Sequence, residues 1–230
     1  MSKVLVIVAH PGLAEFSKSQ QVLKKFVDTY TTYHPTDEIN TINLYDLDAP
    51  DIDSTVYGAF GKLMSGSDFS SLNDEEKIAL SKRQAVIDQF IAHDKYVFAA
   101  PMWEFSFPAV LKKYLDIICA AKQTFSYGEA GIPEGLLKNR KAIFIQASGG
   151  VYDPEIRKAI REQISNLNRS ELLSAYDTLG NFGEPIVKGT LAIMGVIDYQ
   201  HIFVGAQAKS NAAEVLAVKM HEAETLAKSW

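Results

Sequence analysis

A single cysteine, Cys119, stands in 230 residues. That excludes an internal disulfide and points to a reducing cytoplasm as the working compartment. No apolar run approaches the roughly 20 residues that cross a bilayer, so no membrane span is expected. Met1-Ser2-Lys3 leads straight into the apolar run Val4–Ala9, which is too short for a secretory leader and has no small-residue cleavage site behind it. Basic residues are in short supply: 23 Lys and Arg against 28 Asp and Glu give a net charge of −5, a poor surface for nucleic acid or an anionic membrane. The five histidines are scattered, with no H-x-x-x-H pair and no cysteine partner, so no metal centre is expected. A G-x-x-x-x-G-K-[ST] loop and a G-x-G-x-x-G turn after the first strand are both missing, which argues against ATP and a Rossmann-bound dinucleotide. Ser148 lies in no G-x-S-x-G frame, which disfavours a serine hydrolase. The rest of the composition, 47% hydrophobic and 22% charged, is that of an ordinary globular chain of a size for one α/β domain, residues 1–230.

The chain is organised around Tyr96–Pro108. Tyr96-Val97-Phe98-Ala99-Ala100 is a continuous apolar run ending in a proline, which reads as a strand buried on both faces of a parallel sheet. Pro101 cannot donate to a ladder, so the strand should stop there. Pro108 suits the first turn of a helix, expected over Ala109–Ala121. The aromatic turn between the prolines falls at a carboxyl strand end, where open α/β sheets bind ligands.

Val4–Ala9 reads as a second central strand, followed by the turn residues His10-Pro11-Gly12. Ser17 with Gln20 is a capping-box pattern, and Val22, Leu23, Phe26, Val27 and Tyr30 supply the buried face of the helix that follows. Glu38–Leu44 is a shorter strand. Asp46–Asn73 reads as a long loop with a short helical piece around Tyr57–Leu63, either capping a cleft or belonging to an interface. Asn73 and Glu76 start a helix that runs to about His93. Lys122–Gly128 with Gly131–Pro133 is a second aromatic loop, Ala142–Gln146 a fourth strand and His201–Val204 a fifth. Pro154–Leu167 and Ser170–Leu179 read as helices, Gly183–Gly195 is ambiguous, and Ala212–Ser229 closes the chain with Leu216, Met220, Ala223 and Leu226 facing inward. Asp74-Glu75-Glu76 and Lys138–Lys141 read as solvated charge clusters. Cys119 reads as a buried, inert thiol in mid-helix. Five strands alternating with helices give a flavodoxin-like three-layer sandwich, with a five-stranded parallel sheet in the order 2-1-3-4-5.

In that order the turns after strands one, three and four converge. The first offers Ser17 and Ser19 at a helix start, where hydroxyls and unpaired amides hold a phosphate; the plainer reading makes Ser17 only a cap. The second offers Met102, Trp103, Glu104 and Phe105 as a wall for a flat heteroaromatic ring, or simply as core or interface aromatics. The third, Ser148-Gly149-Gly150, is either ordinary turn material or a bare backbone edge open to a planar ligand. A phosphate end, a flat middle and a bare edge together match flavin mononucleotide.

The block Pro101-Met102-Trp103-Glu104-Phe105-Ser106-Phe107-Pro108, with Leu111-Lys112 and Asp116, resembles the P-M-[YW]-N-F-x-x-P…LK…D segment of the FMN-dependent NADH azoreductases, which sit among the flavodoxin-like quinone reductases. Lys122–Tyr127 is similar to that family's G-K-T-F-x-Y, Ser17-Lys18-Ser19 to its S-x-S phosphate loop, and Ala147–Gly150 to its S-x-G-G turn. The resemblance runs from Met1 to about Val204. It implies bound FMN, NADH or NADPH as donor, quinones and azo compounds as acceptors in ping-pong turnover, and a homodimer with the flavin near the subunit interface. By position it assigns Ser17 and Ser19 to the phosphate, Met102–Phe105 to the isoalloxazine and Ser148–Gly150 to its pyrimidine edge, with His10, Lys18, Pro101 and Ala147 also among the cofactor-binding residues. Phe125 and Tyr127 become a wall over the substrate. No side chain need act as acid or base, because the flavin carries the chemistry. Glu104 departs from the family's Asn, His10 from a small hydroxyl residue and Ala147 from Ser; an inward carboxylate at Glu104 would lower the flavin potential. The other reading left open is a non-catalytic electron-transfer or flavin-storage protein.

Overall fold

The computed structural model describes residues 1–12, 14–129 and 131–230. Chain order runs β1 (Lys3–Val8), α1 (Lys18–Tyr33), β2 (Glu38–Asn43), α2 (Ser54–Met64), α3 (Asp74–Ile91), β3 (Lys95–Pro101) and α4 (Ala109–Ile118). It continues with β4 (Phe125–Tyr127), β5 (Pro133–Gly135), β6 (Lys141–Ala147), α5 (Pro154–Asn166), α6 (Ser170–Thr178), α7 (Gly183–Ile193), β7 (Asp198–Val204) and α8 (Ala212–Ser229). Five strands form one parallel sheet ordered β2-β1-β3-β6-β7, and β4 pairs antiparallel with β5. The order expected from sequence, 2-1-3-4-5, counts no hairpin, because the residues of β4 and β5 carry a loop pattern. Strands of three residues are too short for alternation to register.

The central strands are buried on both faces, as unbroken apolar runs require. Phe98 on β3 stands opposite Ile7 and Phe144 in the two neighbouring ladders. One face of the sheet packs against α1 and α8 through Val22, Phe26, Ala223 and Ala227, with Leu216, Met220 and Leu226 half-buried beside them. The other packs against α3, α4 and α7 through Phe90, Leu111, Tyr114 and Val187. Each large side chain buried in this way contributes about 1.5–3 kcal/mol.

Several local expectations need correction. Within the Asp46–Asn73 segment the helical piece expected around Tyr57–Leu63 is α2, longer at its start, with Asp53 capping it by accepting from the Val56 amide at 2.9 Å. The α4 helix stops at Ile118 rather than Ala121, because Thr124 Oγ1 takes the Ala120 amide at 2.9 Å and donates to the Ile118 carbonyl at 2.8 Å. Cys119 is therefore a half-buried C-cap rather than a mid-helix residue, with its thiol pushed up by burial. Gly183–Gly195 resolves into α7. Glu76 is buried, not solvated: it closes a capping box with Asn73 and accepts from Lys62 Nζ at 2.7 and 2.9 Å.

The chain leaves β3 through a tight turn. Ser106 N–H donates to the Trp103 carbonyl at 2.9 Å, with Glu104 at φ 44° and Phe105 at φ 65°. Two consecutive positive φ values mark a type I′ turn, normally the place of Asn and Gly.

Two stability predictions follow from these contacts. The left-handed conformation costs a residue with a Cβ roughly 1–2 kcal/mol, so Glu104→Gly should raise the unfolding free energy by about 0.5–1 kcal/mol after the added unfolded-state entropy of glycine. Urea denaturation reads this, and a loss of stability contradicts it. The Lys62 ammonium and the Asn73 amide hold the Glu76 carboxyl below its ordinary range. Its contribution is then present above the unfolded value and lost as pH falls through the folded one. Glu76→Gln should melt lower than the parent at pH 7, with the gap closing below the ordinary glutamate range; a gap independent of pH contradicts the assignment.

Candidate functional site

The carboxyl ends of β1, β3 and β6 lie side by side, because these strands are neighbours in the sheet. The turns that follow them build the site.

After β1 the chain passes His10 and Gly12 and enters α1. Ser17 is the N-cap, in extended conformation, and accepts from the Gln20 amide at a long 3.4 Å. Its hydroxyl lies 3.1 Å from that of Ser19, and both serines are buried. Lys18 opens the helix between them, half-buried. Two hydroxyls, first-turn amides and the positive end of a sixteen-residue helix are the kind of neutral donors with which a helix start can hold an anion. His10 Nδ1 accepts from the Gly12 amide at 3.0 Å, which leaves Nε2 to carry the proton in the neutral ring. The Asn43 side chain donates to the His10 carbonyl at 3.2 Å.

The second turn is joined to both neighbours. The Trp103 ring centroid lies 6.4 Å from that of His10, the planes tilted by 50°. On the other side the Met102 amide donates to the Ala147 carbonyl at 2.6 Å, extending the β3–β6 ladder one step past Pro101, which is paired with Ala147. Trp103 is 45% exposed although it sits over the sheet edge. Met102 and Phe105 are half-buried and Glu104 is exposed.

The third turn is held by its own backbone. Ser148 N–H donates to Val204 at 3.0 Å, and Ser148 Oγ donates to the Gly150 carbonyl at 2.9 Å. Ala208 N–H reaches the Gly149 carbonyl at 3.1 Å. A Cβ on Gly150 would stand 2.9 Å from the Tyr152 ring, which would have to shift, and one on Gly149 would stand a tight 3.2 Å from the Ala208 Cβ.

Sequence reasoning missed the groups that brace these turns. Gln146, fully buried at the end of β6, donates to the Ser106 carbonyl at 3.0 Å and accepts from Asn181 Nδ2 at 2.6 Å. Asn181 Oδ1 in turn takes the Gly183 and Glu184 amides at 3.2 and 3.3 Å. The Phe182 amide donates to the Phe105 carbonyl at 2.8 Å. One signal was available, a polar residue closing the apolar run of β6; its partner Asn181, just before α7, had none.

His10, Ser17, Lys18, Ser19, the Pro101–Phe105 turn and Ala147–Gly150 are thus brought to one edge of the sheet. Phe125 and Tyr127 are not. Phe125 is paired with Gly135, which packs on Gly195 in the turn leading into β7, at the opposite edge. Phe125 is buried, whereas Tyr127 is 65% exposed on the hairpin. Among the described residues no group of three His, Cys, Asp or Glu side chains is placed to hold a metal, and no helix is long and apolar enough to cross a membrane.

The profile of a family described as flavodoxin-like fold matches residues 2–171. An FMN-dependent NADH:quinone oxidoreductase of Geobacillus kaustophilus is 48% identical over 152 residues, 66% of this chain and 72% of that protein. FMN-dependent NADH:quinone oxidoreductase 3 of Bacillus cereus is 36% identical over an alignment of 232 residues covering 100% of both chains. Among solved structures, the FMN-dependent NADH-azoreductase of Bacillus anthracis in complex with FMN superposes with a TM-score of 0.82 at 31% identity, over 99% of this chain and 98% of that one. With strand order, turn geometry and sequence in agreement, the chain belongs to the flavodoxin-like family of FMN-dependent NADH:quinone oxidoreductases and azoreductases.

Proposed function

We propose that this chain is an FMN-dependent NADH:quinone oxidoreductase and that azo compounds are reduced in the same cleft. The observation that carries the reading is the junction of three turns at one sheet edge, closed by the 2.6 Å Met102–Ala147 hydrogen bond on one side and the His10–Trp103 ring pair on the other. The residues present fit the parts of FMN. The Ser17 and Ser19 hydroxyls, with the amides at Lys18 and Ser19, suit the phosphate without a cation. The Pro101–Phe105 turn offers Met and Trp side chains to one side of a flat ring, and the left-handed Glu104 and Phe105 bring backbone rather than side chain toward its edge. Ser148–Gly150 supplies the bare backbone for the pyrimidine end, with Ala147 fixing its distance from Met102.

When bound, FMN supplies the two-electron chemistry between NADH and the acceptor. The work of the protein is then positional. The Gln146–Asn181 pair holds the Ser106 carbonyl and keeps the second turn from spreading. Trp103 shields the ring face from water and leaves the other side open for NADH and acceptor to take turns.

The working form in this reading is a homodimer. The hairpin carrying Phe125 and Tyr127 is rooted at the sheet edge away from its own cleft, and its Tyr127 is exposed, which suits a wall over the cleft of a second copy. The whole chain 1–230 serves as one FMN-binding domain, since α8 packs on the same sheet face as α1. A reducing cytoplasm suits the lone Cys119.

Purified protein mixed with FMN should retain the flavin through gel filtration, show its visible bands and oxidise NADH with menadione and with an azo dye. Absence of flavin bands overturns the reading, and bound FMN without turnover favours an electron carrier. Ser17→Ala with Ser19→Ala should weaken FMN about 10–100-fold, the effect of losing hydrogen bonds to a charged group. Unchanged affinity would remove the serines from the phosphate end. Tyr127→Ala should raise the acceptor KM while FMN stays bound, and an unchanged KM contradicts its place over the cleft.

A further inference from the structure

A cavity of about 700 Å³ lies along the outer side of the edge strand β7, between α5, α7 and α8. Its volume is that of a site for a small organic molecule. It adjoins the cleft described above and shares Asn181 with the network that braces it. The Tyr152 ring stands between them, 6.5 Å from Phe105 on the cleft side and 6.1 Å from Phe203 on the cavity side.

The lining is polarised. Tyr152, Phe203 and His201 give an aromatic floor, with His201 stacked on Phe144 at 5.5 Å and tilted against Phe203 at 5.7 Å. Burial and the nearby Lys219 push the His201 imidazole down to about 4, so the floor is uncharged at neutral pH. One wall carries two ammonium groups, Lys209 and Lys219; the latter spends one donor on Glu222 at 2.7 Å and keeps two. The side formed by α5 and α7 carries two carboxylates, Glu184 on α7 and Asp153, whose Oδ1 caps α5. An aromatic floor between a cationic and an anionic wall selects a flat molecule with an acid at one end and a hydrogen-bond donor at the other.

We propose that this cavity is a second small-molecule site that takes an amino-substituted aromatic acid, its ring on the Tyr152–Phe203–His201 floor, its acid toward Lys209 and Lys219 and its amino group toward Glu184 and Asp153. Nothing in this assignment depends on the flavin cleft.

The test is calorimetric titration of FMN-saturated protein with 4-aminobenzoate, with benzoate and aniline as probes that each lack one end. 4-Aminobenzoate should bind with one site per chain, and each truncated probe should bind at least fivefold more weakly. Val215→Trp, which fills the cavity from α8, and Lys209→Glu, a surface change on its cationic wall, should each weaken 4-aminobenzoate at least tenfold while FMN content and far-UV circular dichroism stay unchanged. No binding, equal binding of the three probes, binding only to FMN-free protein, or full binding to both variants overturns the proposal.

Discussion

The hydrogen bond from the Met102 amide to the Ala147 carbonyl, 2.6 Å long, fixes the site. Proline at position 101 ends donation by β3, and without a further bond the chain would be free to peel away at that point. Met102 restores the ladder for one step. The turn that follows must then reverse within four residues, and it does so with positive φ at Glu104 and Phe105. Backbone strain of this kind persists only where surrounding contacts overdetermine it. Here the Gln146 amide group on the Ser106 carbonyl and the Phe182 amide on the Phe105 carbonyl supply those contacts.

From that fixed point the other turns take their positions. His10 follows the strand beside β3, and its ring meets Trp103 because adjacent parallel strands end at nearly the same height. The Ser148–Gly150 turn follows the strand on the other side and is locked to the turn after β7 by backbone bonds. An anion cradle, an aromatic wall and an open backbone edge therefore arise from sheet order as much as from the side chains themselves. The sheet has little freedom to shift, since its middle strands are buried on both faces and a one-residue slip would separate Phe98 from Ile7 and Phe144.

Much of this was legible in the residues, for physical reasons that can be named. The runs Val4–Ala9, Tyr96–Ala100 and Ala142–Ile145 are apolar without interruption, which only double burial explains, and Ser17 and Asn73 each accept the amide three residues on, although only Asn73 closes the full box while the Gln20 side chain turns to the Gly12 carbonyl. The prolines at 101 and 108 bracket the site turn. The β4–β5 hairpin was not legible, because three-residue strands have no periodicity to detect and because Gly135 packs on Gly195, sixty residues further along the chain. Glu76 was misread for a similar reason: inside a run of three acids nothing local shows that one of them turns inward to meet Lys62 from another helix. Gln146 and Asn181 bond across 35 residues, a distance at which a single sequence carries no signal. Phe125 and Tyr127 could be recognised by resemblance but not placed, since one chain keeps their hairpin at the far edge of the sheet.

The central claim is that three turns, far apart in sequence, bind one ligand together. Amide hydrogen exchange with and without FMN tests it most directly. The account predicts slowed exchange at residues 17–20, 102–106 and 148–150 at the same flavin concentration, with α5 and α6 little changed. Protection confined to one of these turns, or appearing elsewhere while all three exchange as before, would contradict it.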